Sequence, residues 1–198
     1  MGFIHANDAA MSNLGYERAE LDFYPTPSDV TEALVPFLML HQHAHAEVWE
    51  PGCGTGAMSE VLCRYFPNVR STDIKDYGYD KMIPGSRDFL AQTEYDGHSI
   101  VTNPPFGKTA EKFIRKALEL TQPHGGVVAM LLRKEYDSAK TRSPLFKDHP
   151  AFAREVVLLW RPRWIAGSKG APRHNYSWFI WDWNWRREPV KSYALRGK

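Results

Sequence analysis

No run of eighteen apolar residues occurs in the chain, so a helix crossing a bilayer is not expected. Cysteine is scarce. Cys53 and Cys63 are the only two, neither belongs to a CxxC pair, and a disulfide framework has nothing to build on. Reduced thiols in a cytoplasmic protein fit that usage. A surplus of one charge is missing as well: the formal net charge is +2, which leaves partner choice to where the charges sit. The first twenty residues, MGFIHANDAAMSNLGYERAE, lack a basic region followed by an apolar core, so no signal peptide is expected. Repeats and low-complexity tracts are also missing.

The chain does hold the composition of a globular domain, 43% hydrophobic and 24% charged over 198 residues. That length can bury a core without metal or disulfide staples. Residues 1–21 read as a flexible N-terminal arm and residues 22–198 as a single domain. Ser28 or Thr31 is placed to cap a helix through ALVPFLML. AEVWEPGCGTGAM reads as strand, glycine loop and helix, with Met58, Val61, Leu62, Tyr65 and Phe66 on one helical face. VRSTDI (69–74) and HSIVTN (98–103) read as strands, and TAEKFIRKALELT as an amphipathic helix with Phe113, Ile114, Ala117, Leu118 and Leu120 inward. GGVVAMLL (125–132) is apolar throughout, the mark of a strand buried on both faces. EVVLLW and NYSWFIWDW follow as later strands. Alternation of strands with helices predicts an α/β, doubly wound, mostly parallel sheet.

Two stretches carry chemistry. EPGCGTG (50–56) follows a strand and opens a helix, where glycines let the backbone approach a ligand and helix N–H groups are free. No GK[ST] accompanies it, which disfavours a phosphate-gripping loop. Asp73 lies about twenty residues on, where a carboxylate can accept bonds from ribose hydroxyls. The second stretch is NPPF (103–106). Two prolines remove donors and hold Asn103 extended at a strand end, so its side-chain oxygen and the Pro104 carbonyl become two stiffly aimed acceptors.

EPGCGTG, Asp73 and NPPF, preceded by DFYPTP (22–27), resemble the class I S-adenosylmethionine-dependent methyltransferases, specifically the amino-methylating nucleic-acid enzymes of compact phage or prophage type. The resemblance covers roughly residues 22–185. It implies a Rossmann-like fold, with a seven-stranded sheet ending in an antiparallel hairpin and helices on both faces. It also implies S-adenosylmethionine as cofactor and transfer of its methyl group to the exocyclic amine of adenine. By the same resemblance, Tyr24 and Thr26 fall at the methionine end, Glu50, Gly52, Gly54 and Gly56 in the loop, and Asp73 at the ribose. Asp88 and Phe89 fall at the cofactor's adenine, with Asp76 and Asp80 as rival acids. Asn103, Pro104, Pro105 and Phe106 are the expected catalytic set, Phe106 stacking on the target base.

Phe at 106 leans towards adenine over a protein amide, for which NPPY is typical. DNA is the favoured polymer because DFYPTP and RPRW resemble compact DNA enzymes; RNA adenine remains the close alternative. A protein-glutamine methyltransferase and a catalytically silent binder stand further back. Cytosine carbon methylation is disfavoured because no Pro-Cys dipeptide exists.

From Val156 to Trp181 there is no acidic residue, while Arg161, Arg163, Lys169 and Arg173 are present. A basic connection there suits phosphate contact, and Trp164 or Tyr176 is placed to wall a target pocket. Arg161, Trp164, Lys169, Arg173 and Tyr176 are therefore the expected substrate-binding set. Phe179, Trp181, Trp183 and Trp185 alternate along a strand, which favours a packed sheet face, with Trp183 and Trp185 the better candidates for exposure. His41, His43 and His45 form HxHxH without companion ligands, so no metal is expected. Only 46 residues separate Gly56 from Asn103 and 13 follow Trp185, too few for a target-recognition domain. Weak sequence discrimination and a preference for single-stranded or deformed substrate follow. Oligomeric state is not legible.

Overall fold

The computed structural model describes residues 24–41, 47–85, 87–165 and 171–197. The expected N-terminal arm, His43, His45 and Lys169 lie outside them. Seven strands form one sheet: β1 (Val48–Pro51), β2 (Val69–Thr72), β3 (Ser99–Thr102), β4 (Val127–Arg133), β5 (Phe152–Leu158), β6 (Tyr176–Asp182) and β7 (Val190–Ala194). Their order is β2-β1-β3-β4-β6-β5-β7. Pairings from β2 to β4 are parallel, β6 runs antiparallel to both β4 and β5, and β7 is parallel to β5. The expected α/β sheet with an antiparallel hairpin is what the chain builds.

The two faces are covered by different helices. α1 (Ser28–Leu38) and α2 (Ala57–Leu62) lie over one face, and α3 (Lys108–Thr121) over the other. Alternation along β4 makes the division plain. Val127, Ala129 and Leu131 join Leu34, Leu62 and Trp178, while Val128, Met130 and Leu132 join Ile114, Leu118 and Trp181. A strand buried on both faces must read as continuous apolar sequence, as β4 does. The buried indoles are tied by their single donor. Trp49 Nε1 donates to Thr72 Oγ1 at 2.8 Å, Trp178 Nε1 to the Val30 carbonyl at 2.9 Å, and Trp181 Nε1 to the Leu145 carbonyl at 2.6 Å.

Several local expectations are corrected. Neither Ser28 nor Thr31 caps α1: Pro27 occupies the cap position without a side-chain bond, and the helix stops at Leu38, short of Met39 and Leu40. Tyr65 is 44% exposed because α2 ends at Leu62 and the following turn rotates it outward. β6 ends at Asp182, so of the four aromatics only Phe179 and Trp181 share one face of the strand; Trp183 and Trp185 lie beyond it. Trp183 still packs against that core and donates to Thr121 Oγ1 at 3.2 Å. β7, VKSYA, went unread because its outer position leaves it mostly exposed and without an apolar rhythm. His41 of the HxHxH stretch is buried and paired with Asp182 at 2.7 Å.

Trp178 joins the sheet to the first turn of α1, so shortening it tests how firmly that helix is seated. Trp178→Phe removes one hydrogen bond and part of a fully buried ring, and should cost about 2–4 kcal/mol. Urea unfolding should show a lower midpoint with an unchanged slope.

Candidate active site

β1 and β3 are neighbours and leave the sheet at the same edge. The glycine loop continues from one and NPPF from the other. Thr102 Oγ1 donates to the Pro51 carbonyl at 2.7 Å, pinning the two exits together. Between them opens a cleft of about 440 Å³, in the range of small-molecule sites.

The loop is held by backbone and acid together. Gly52 and Cys53 both donate to the Thr72 carbonyl, at 2.7 and 3.0 Å. Asp73, one residue past β2, accepts from the Gly54 N–H at 2.8 Å and from the Lys75 N–H at 3.1 Å. Each Asp73 oxygen therefore has one donor and keeps capacity for another. Gly56 has φ +78°, and a Cβ there would overlap the Tyr79 ring. Gly52 has φ +79° but faces open space, leaving backbone bare at the cleft.

Glu50 lies in the cleft, 3% exposed, accepting from the Ser59 hydroxyl. Burial raises its carboxyl to about 8 despite that bond, and the Asp73 charge adds to the rise. Cys53 is pushed up to about 12, first by burial and then by the Glu50 and Asp73 charges, which favours the thiol over the thiolate.

Asn103 reaches the cleft from β3. Its Nδ2 donates to Thr26 Oγ1 at 3.3 Å, while its Oδ1 is buried with no hydrogen-bond partner among the described residues. Pro105 lines the cleft; Pro104 is buried outside it. Phe106 is half-buried and packs against Tyr24, ring centroids 5.6 Å apart.

Of the expected cofactor residues, Tyr24, Thr26, Glu50, Gly52, Gly54, Asp73, Asp88 and Phe89 line this one cleft, and Gly56 does not. Asp88 lines it where Asp76 and Asp80 do not. Ile74, Tyr77, Arg87 and Thr109 line it too, and sequence reasoning missed them. Their signal was position alone, one to four residues from a strand end or a motif. Of the expected substrate residues, Arg161, Trp164, Arg173 and Tyr176 do not line the cleft. Tyr176 starts β6 opposite Arg133, the last residue of β4, so the 159–175 connection leaves the sheet at the cleft's edge. Tyr176 is buried against Trp164, centroids 5.0 Å apart, and Arg161 Nε donates to Asn175 Oδ1 at 3.0 Å.

No family model matches this sequence, and no curated protein matches it. Solved structures do. The chain is similar to a proposed RNA methyltransferase from Pyrococcus horikoshii, at TM-score 0.65 and 18% identity, covering 90% of this chain and 98% of that one. It is also similar to a proposed class I S-adenosylmethionine-dependent methyltransferase from Listeria monocytogenes, at TM-score 0.63 and 14% identity, over 96% of this chain and 70% of that one. The fold is the class I methyltransferase fold. A type I restriction-modification methyltransferase subunit from Streptococcus thermophilus shares it at TM-score 0.62 and 12% identity, over 89% of this chain and 48% of that one. In this fold the cleft stands at the carboxyl ends of the parallel strands, outside the sheet, where open α/β sheets place their ligands.

The buried acid gives a test of the cleft's electrostatics. The folded chain holds the Glu50 proton to about pH 8, whereas an ordinary carboxyl releases it near 4.5. Between those values the folded state binds more protons, so this group makes stability fall as pH rises. Glu50→Gln should therefore gain thermal stability over the unliganded wild type as pH goes from 5 to 8. Melting curves that stay parallel across that range would refute the assignment.

Proposed function

We propose that this chain transfers a methyl group from S-adenosylmethionine to the exocyclic amine of adenine in a nucleic acid, DNA favoured over RNA. The observation that carries the reading is the Asn103 side chain: its Oδ1 is buried without a hydrogen-bond partner among the described residues, and the residue lines the same cleft as Asp73 and the bare backbone of Gly52. A buried acceptor left unpaired costs about 1–3 kcal/mol, which a donor from a substrate would recover. An adenine amine is such a donor.

The residues fit the cofactor. Asp73 has acceptor capacity for ribose hydroxyls, Asp88 and Phe89 line the cleft near it, and the Gly52 backbone stands open. Tyr24, Thr26 and Glu50 complete the set. Bound there, S-adenosylmethionine supplies an electrophilic sulfonium methyl, reactive enough that placement dominates and no strong base is needed. The chain's own part is to prepare the amine. Asn103 Oδ1 accepts from one of its N–H groups out of the ring plane, which draws the lone pair out of conjugation. Phe106 holds the base by stacking, worth roughly 1–3 kcal/mol. Arg161, Arg163, Lys169 and Arg173 supply phosphate contacts from the 159–175 connection, and Trp164 and Tyr176, packed together, border the target base.

RNA is the second reading, favoured by the near-complete overlap with the Pyrococcus protein, whose name places its methyl group on RNA. The restriction-modification subunit points to DNA. The deciding experiment offers tritiated S-adenosylmethionine with matched DNA and RNA, single- and double-stranded, and locates label on adenine. With no recognition domain in 22–198, single-stranded polymer should accept more label than duplex, whose bases must first be unstacked.

Asn103→Ala should lower turnover by about 10²-fold or more while cofactor affinity stays within about threefold. Asp73→Ala should first weaken cofactor binding, by roughly 10–100-fold, through the lost ribose bonds and the freed Gly54 N–H. Calorimetry and initial rates separate the two effects. An exchange of these outcomes would sink the site assignment.

A further inference from the structure

We infer that Thr26 is a positioning residue for Asn103, and that the segment Tyr24–Pro27 is a brace for NPPF as well as a wall of the cleft. That the oxygen so aimed meets an adenine amine rests on the function proposed above.

One extended segment touches both ends of the motif. The Tyr24 ring packs on Phe106 at 5.6 Å, and two residues on, the Thr26 hydroxyl accepts from Asn103 Nδ2 at 3.3 Å. Residues two apart in an extended chain project to the same side, so both contacts fall on one motif. Pro25 and Pro27 flank Thr26 and restrict its backbone. The brace is itself anchored: Pro27 opens into α1, whose Val30 carbonyl takes the Trp178 bond. Thr26 is 6% exposed, so its bond to Asn103 is shielded from competing water.

The consequence is chemical. A carboxamide has two ends, one accepting and one donating, that differ little in shape. An amine that must be held through its own N–H groups needs the accepting end. With Nδ2 bonded to Thr26, Oδ1 is the end left over, and it lacks a partner among the described residues. Without the hydroxyl the amide loses the bond that holds its plane and is free to turn about its last torsion, so the oxygen is no longer steadily aimed. Resemblance alone assigned Thr26 to the cofactor. The geometry adds a second duty, performed on another side chain.

The experiment pairs Thr26→Val, nearly isosteric but without a hydroxyl, with Thr26→Ser, which restores it. In asparagine-labelled protein the side-chain resonance lost in Asn103→Ala identifies the Asn103 amide. That amide should exchange slowly in wild type and Thr26→Ser, and fast in Thr26→Val. With adenine polymer and saturating cofactor, Thr26→Val should lose about 10²-fold in turnover beyond any loss of cofactor affinity, with polymer KM within about threefold, and Thr26→Ser should recover most of it. An unchanged Asn103 amide in Thr26→Val overturns the inference. So does a loss confined to cofactor affinity. If the amide responds as expected but wild type labels no polymer, the positioning stands and the adenine reading falls.

Discussion

The hydroxyl of Thr102 donates to the carbonyl of Pro51 where two parallel strands leave the sheet side by side. Everything chemical in this chain is hung from those two exits. The glycine loop and NPPF are far apart in sequence, and no local interaction relates them. Their separation is fixed because β1 and β3 are neighbours in one register, and because the last residue of β3 is tied to the last of β1. A slip of one residue would turn Thr102 to the other face and carry Asn103 away from the cleft. The prolines of NPPF then make the exit stiff, so position set in the sheet is delivered to a side chain.

The two acids of the cleft do different work because their surroundings differ. Asp73 is engaged by two backbone N–H groups, which shape the loop around it. Glu50 is more deeply buried, is engaged by the hydroxyl and backbone of Ser59, and keeps its proton to about pH 8 because burial outweighs both bonds. One acid thus organises the backbone while the other is held protonated by its burial. A cationic ligand reaching Glu50 would favour release of its proton, so occupancy and ionisation are linked.

Much of this was legible in the sequence, for reasons that can be named. Strands buried on both faces must be apolar throughout, and GGVVAMLL could hardly be read otherwise. Glycines and prolines mark backbone that side chains cannot shape, so EPGCGTG and NPPF stood out. What was hidden depended on tertiary partners. Exposed β7 has no apolar rhythm because only its ladder with β5 makes it a strand. The cap of α1 was misplaced because packing under Trp178 seats that turn without one. Tyr77 and Arg87 reach the cleft through the path of loops that carry no period at all, and Thr109 through the first turn of α3. The Thr26–Asn103 bond spans 77 residues and has no signature in either motif alone.

One further consequence lies in how unevenly the fold is glued. Both faces of the sheet rest on broad apolar clusters, but Cys53, Tyr79 and Met82 form a separate patch of three. That patch is the chief apolar support for the stretch from Ile74 to Gly85, which supplies Ile74 and Tyr77 to the cleft. Regions with few buried apolar contacts open before the rest, at a free energy well below that of global melting. One side of this cleft is therefore a small breathing unit on a rigid frame. Its amides should trade hydrogen for deuterium earlier than those of the strands, and a ligand gripping Tyr77 would be felt there first as slowed exchange.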